Sequence, residues 1–172
     1  MKTKTFQDDV LPLKDMLFRL ALHITQERQR AEDVVQETLL KIWNRRDQWD
    51  QIESMEAFAA TLCRNRALDM MRQEERRQQL FSTPDGYGDY PSAAANPEQQ
   101  AVESDRVSLV RQLISQLPER LSTAMHLRDI EGKSYKEIAD IMDVSEQQVK
   151  TYIFRARQTV RQKFVQRDNY GL

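Results

Sequence analysis

Gln147, Gln148, Lys150, Thr151, Phe154 and Arg155 lie off the apolar stripe Val149, Ile153, Ala156 and Val160, so one helix would turn them outward. Gln, Lys, Thr and Arg are side chains that reach base edges and phosphate oxygens from a helix in the major groove. An outward Phe154 suits a thymine methyl or a sugar. The chemistry on offer is recognition of DNA, with no bond made or broken. Cys63 has no nearby His partner, and His23 and His126 are far apart in sequence. No Cys/His/Asp spacing suits a metal, and no glycine-rich phosphate loop occurs. Cys63 is expected to pack and both histidines to sit on helix surfaces. Neither metal, cofactor nor catalysis is expected.

Two short helices must hold that face. Ser134 with Glu137, and Ser145 with Gln148, both have capping-box spacing, so two helix starts stand eleven residues apart. Ile138, Ala139, Ile141 and Met142 form the inner face of the first helix, and the small Ala139 lets the second approach closely. Val144, Val149, Ile153, Ala156 and Val160 supply the facing stripe. The turn "MDVS" places Asp143 where a left-handed residue fits, which Asp tolerates better than most. The pattern is a helix-turn-helix running into a basic tail.

Charge is segregated along the 172 residues although the net is only −1. Residues 1–80 carry 14 basic and 14 acidic side chains, residues 81–105 five acids and no base, and residues 106–172 twelve bases and eight acids. From Lys150 to Arg167 six basic side chains follow without an acid, leaving a basic face for phosphates. Residues 81–100 hold three of the five prolines and two of the four glycines and show no apolar period. The expected architecture is all-α: a helical domain over 1–80, a flexible acidic linker over 81–105, and a second helical domain over 106–172. No apolar run approaches the roughly 20 residues that span a bilayer. With a single cysteine and no signal-like N-terminus, a reducing cytoplasm without membrane insertion is expected.

In the first domain Leu13, Met16, Leu17, Leu20, Ala21 and Ile24 repeat at helical spacing, with Asp8 and Asp9 as cap candidates and Pro12 in the first turn. A second helix, about 29–46, should bury Val34, Leu39, Ile42 and Trp43. "DQWDQIES" reads as a loop. Ser54 then caps a long third helix carrying Phe58, Leu62, Leu68 and Met71. In the second domain Val107, Val110, Leu113, Ile114 and Leu117 make an amphipathic helix, and Pro118 opens the next, which stops near Gly132.

Three segments in order carry a family resemblance. "AEDVVQETLLKIW" (31–43) resembles the region-2 helix of sigma-70-type RNA polymerase sigma factors. "FAATLCRNRALDMMR" (58–72) is similar to their promoter −10 helix, and residues 117–157 to region 4, which reads the −35 element. A chain with only these two modules resembles the extracytoplasmic function (ECF) group. The resemblance implies a transcription initiation factor whose partners are core RNA polymerase, promoter DNA and an anti-sigma factor. It places Asp33, Gln36 and Glu37 on the polymerase β′ clamp helices. Arg64, Asn65, Arg66 and Arg72 fall to the −10 strand, Asp69 pairs with a neighbouring arginine, and Trp49 walls a pocket for an unstacked base. Gln147-Gln148 and Tyr152 depart from the usual recognition helix and leave the −35 sequence open. The rival reading is a stand-alone helix-turn-helix regulator with a sensing or dimerising first domain. It has no use for "AEDVVQETLLKIW" or the arginine-rich third helix. An enzyme, the third reading, would need a carboxylate or His constellation.

Overall fold

The computed structural model describes residues 2–81 and 105–170. These form helices and turns only, as the composition predicts, and the chain divides into two compact units, Met1–Ala95 and Asn96–Leu172. The expected linker lies, apart from its two end residues, outside the described residues.

The first unit is a bundle of α1 (Lys14–Thr25), α2 (Arg28–Asn44) and α3 (Met55–Phe81), each packed on the other two. The chain enters through a π-helical turn, Phe6–Val10, and a 3-10 turn, Leu11–Leu13. The cap there is Thr5, whose Oγ1 accepts from Asp8 N–H at 3.1 Å, while the Asp9 carboxylate accepts from Thr5 N–H at 2.7 Å. Asp8 and Asp9 therefore lie inside this turn and not at its cap position, and Asp9 serves by returning the bond to Thr5. Gln26, left-handed at φ 58°, ends α1 by giving its N–H to Leu22 O. A one-residue step to Glu27 then starts α2.

The expected stripe of α1 is confirmed for Met16, Leu17, Leu20 and Ala21. On α3 the buried residues are Met55, Ala59, Ala60, Cys63 and Ala67, while the larger Phe58, Leu62, Leu68 and Met71 are half-buried. Three mutually packed helices approach closest where side chains are small, so the large apolar residues fill the flanks. Ser54 caps α3 as expected, its Oγ accepting from Ala57 N–H at 3.1 Å.

In the second unit α4 (Asp105–Ser115), α5 (Glu119–Met125) and α6 (Tyr135–Met142) all pack on the long α7 (Glu146–Tyr170). Leu113, Ile114, Leu117, Met125, Ala156 and Val160 form one cluster, with Leu109, Val110, Leu121 and Phe164 against it. A π-helical turn, His126–Ile130, follows α5, and Gly132 at φ +68° makes the left-handed step towards α6. His126 is buried, 3.6 Å from Glu131, and is not the surface residue that sequence spacing suggested. It continues the run Ser122–Leu127, all of which is buried.

Candidate nucleic-acid interface

The α6–α7 hairpin is built by its local sequence. Both capping boxes form: Ser134 Oγ accepts from Glu137 N–H, and Ser145 Oγ from Gln148 N–H, each at 3.1 Å. Glu137 and Gln148 return the bond to the cap N–H groups at 2.7 and 3.0 Å. Asp143 is left-handed at φ 54°, ψ 52°. Ile138, Ala139, Ile141, Met142, Val149 and Ile153 are buried between the helices. The elements are therefore fixed by caps and packing, and the outer face is free of structural duty except where noted next.

Gln147, Gln148, Lys150, Phe154 and Arg155 are exposed, Phe154 at 67%, and Thr151 is half-buried. Gln148 is partly spent, because its Oε1 holds the Ser145 cap and only its amide N–H groups remain for a partner. Thr151 Oγ1 donates to Gln147 O at 3.1 Å, so towards solvent it acts as an acceptor. Lys150 Nζ stands 5.7 Å from the centre of the Tyr135 ring, which Arg128 approaches at 4.6 Å. Arg128 also donates to Lys133 O at 2.8 Å. Sequence periodicity missed Arg128 and Tyr135, since Tyr135 reaches Lys150 from another element and Arg128 joins it at the same ring. Tyr152 accepts a bond from Arg120 at 3.3 Å. Within the basic tail Arg157 is committed to Asp129, whose hydrogen bond pushes the guanidinium pKa up further.

On α3 Asn65 and Arg72 are exposed, and Arg64 and Arg66 are half-buried. Asp69 pairs with Arg72 at 3.4 Å, in line with its expected role. Arg30 reaches both Glu27 at 2.8 Å and Glu74 at 3.4 Å, tying α2 to α3. Arg66 gives Nε–H to Glu37, with Nη2 3.4 Å from the second carboxylate oxygen; that bond raises its pKa. On α2, Asp33, Gln36 and Glu37 share an outward face with Leu40, which is 59% exposed. Gln29 donates to Asp33 at 3.3 Å.

The two tryptophans exchange their expected places. Trp43 is 44% exposed, one residue beyond the buried stripe Ala31, Val34, Val35, Thr38, Ile42, and lies edge-on to Phe6 with Arg46 over its ring. Trp49 is buried at 5% in a 3-10 turn, Arg46–Gln51, where a loop was expected. Its indole N–H donates to Ile42 O at 2.9 Å, one of the last carbonyls of α2. Lys4 Nζ donates to the carbonyls of Trp49 and Ile52, closing the turn over it. In this conformation Trp49 is a core strut with its polar atom satisfied, and its ring does not stand open to solvent.

A helical bundle with an arginine-bearing third helix, and a separate helix-turn-helix unit with a basic outer face, define a two-module nucleic-acid-binding protein. Residues 10–77 match the family Sigma-70 region 2, and residues 108–160 match Sigma-70, region 4. The chain is 32% identical over 147 residues to the ECF RNA polymerase sigma factor SigE of Mycolicibacterium smegmatis, spanning 86% of this chain and 56% of that protein. It is 30% identical over 142 residues to the ECF RNA polymerase sigma-E factor of Haemophilus influenzae, spanning 79% of this chain and 75% of that one. In fold it is similar to the sigma factor RpoE of Bartonella quintana, solved in complex with the anti-sigma factor NepR. That likeness has a TM-score of 0.73 at 23% identity and covers 94% of this chain and 96% of the other. The chain belongs to the sigma-70 family of RNA polymerase sigma factors, and within it to the ECF group. No helix among the described residues is long and apolar enough to cross a membrane.

Proposed function

We propose that this chain is a transcription initiation factor without catalysis of its own, which binds core RNA polymerase in the cytoplasm and directs it to promoters. Residues 1–80 serve as region 2, 81–105 as the linker and 106–172 as region 4. The α2 face of Asp33, Gln36 and Glu37 meets the β′ clamp helices. On α3, Arg64, Asn65, Arg66 and Arg72 follow the melted −10 strand. On α7, Gln147, Gln148, Lys150, Thr151, Phe154 and Arg155 read the −35 element in the major groove. Trp49 supports this site from the core instead of touching a base. An anti-sigma factor holds the chain until it is needed, a reading supported by the similar fold of RpoE in its complex with NepR.

The observation carrying this reading is the order of the two modules together with the exposure of the α7 face. Side chains able to contact bases and phosphates stand outward on a hairpin whose interior is closed. The test is run-off transcription with purified core polymerase on genomic fragments, alongside a pull-down with core. Discrete promoter-dependent transcripts and core association are expected. Tight operator binding by the chain alone, with no core association, would sink the proposal in favour of the stand-alone regulator.

A further inference from the structure

The Glu37–Arg66 contact joins two faces that the proposed function assigns to different partners. Glu37 belongs to the α2 face for polymerase, and Arg66 to the α3 face for the −10 strand. They lie 29 residues apart in sequence, and both guanidinium nitrogens Nε and Nη2 are turned to the carboxylate. The side chains of Glu37 and Arg66 keep 46% and 22% of their surface exposed, so a competing ion can reach either one. Arg72, by contrast, pairs with Asp69 on its own helix, and that pair stays on one face. The Arg30–Glu74 bridge ties the same two helices, so the bundle does not depend on Glu37 alone for that link.

We propose that the Glu37–Arg66 ion pair is an autoinhibitory latch, in which each charge occupies the group its partner needs and polymerase docking on Glu37 frees Arg66 for single-stranded DNA. The inference rests on the assignment of α2 to polymerase and α3 to DNA. An Arg engaged by a carboxylate offers less net charge to a phosphate. Counterion release by that side chain is then withheld until the carboxylate finds another cation. An exposed pair is weak in water, so the latch holds back strand binding by about two- to fivefold and opens without a large barrier. Linkage makes the effect mutual: a bound strand that takes Arg66 must strengthen polymerase binding at Glu37 by the same factor.

The experiment uses the full chain, a fluorescein-labelled single-stranded oligonucleotide of mixed sequence, and core RNA polymerase. Glu37→Gln should tighten oligonucleotide binding by the free chain about two- to fivefold and steepen its salt dependence by roughly 0.7 in log–log slope. Glu32→Gln removes one carboxylate from the same helix without touching Arg66 and should do less. Adding Arg66→Ala to Glu37→Gln should erase the gain. Arg66→Ala alone should bind core polymerase as well as the parent or better, because Glu37 is released. An equal gain from Glu32→Gln, a gain that survives Arg66→Ala, or weakened core binding by Arg66→Ala would each overturn the latch. The last outcome would make Arg66 a strut that positions Glu37. If Arg66→Ala changes strand binding neither in the free chain nor in the polymerase complex, the assignment of Arg66 to DNA itself fails. If it weakens strand binding in the complex while Glu37→Gln has no effect on the free chain, only the latch fails.

Discussion

At the residue scale, burial decides what Cys63 and Trp49 do. Cys63 is fully buried on the α3 face, its thiol directed at Leu17 O at 3.4 Å. Desolvation pushes its pKa from 9.0 up to about 12, against a smaller opposing effect of the hydrogen bond with Thr38. At pH 8 the thiolate is therefore scarce, and 5,5′-dithiobis(2-nitrobenzoate) should label the native chain far more slowly than the unfolded one. A rapid stoichiometric reaction would contradict the burial. The sign of the linked stability follows directly. The folded chain keeps the proton to higher pH than the unfolded one, so stability is full below pH 9 and falls between 9 and about 12. The slope in that window is about 1.4 kcal/mol per pH unit, read from urea midpoints. Trp49→Ala should cost about 3 kcal/mol, through lost packing and the loss of one of the two hydrogen bonds that Ile42 O accepts, and lower Tm accordingly. An unchanged Tm would restore the view of Trp49 as an open base wall.

At the element scale, legibility followed the range of the signal. The α6–α7 hairpin could be read almost whole from sequence, because capping boxes, a left-handed Asp143 and a 3.6-residue stripe are all encoded within a few residues of where they act. Ser134→Ala and Ser145→Ala should each cost about 1 kcal/mol in thermal or urea unfolding. Ser145→Ala should also loosen the hold on Gln148 Oε1 and so alter base preference on α7, whereas Ser134→Ala should not. The all-α architecture was legible in the same way. What was not legible depended on contacts between elements. Periodicity names the inward face of α3, but not that the small Ala59, Ala60, Cys63 and Ala67 are fully buried while the larger Phe58 and Leu62 stay half-buried. Nothing local shows that Lys4 would close the turn over Trp49, or that His126 would be buried beside Glu131. The Glu37–Arg66 pair, between residues each read as facing a separate partner, is the same kind of long-range fact.

At the scale of the whole molecule, the near-zero net charge conceals a neutral first domain and a second with four more bases than acids. Under the proposed function, long-range attraction to phosphate resides in the second domain, while the first gains its hold on DNA through the polymerase and through tethering. Two weak grips on one chain raise each other's effective concentration, so neither needs to be tight alone. A division of labour follows, and it has a two-way test. Lys150→Ala with Arg155→Ala removes two cations from the exposed α7 face. It should lower transcription from a promoter with an intact −35 element by about tenfold or more, at about 1 to 3 kcal/mol for each lost base contact, and leave core association unchanged. Because Glu37 is engaged with Arg66, Asp33→Ala with Gln36→Ala is the cleaner change on α2. That pair should weaken core association in a titration while leaving the isolated chain's binding to duplex DNA intact. Equal loss of both activities in either double variant would mean that the two domains do not act as separate hands.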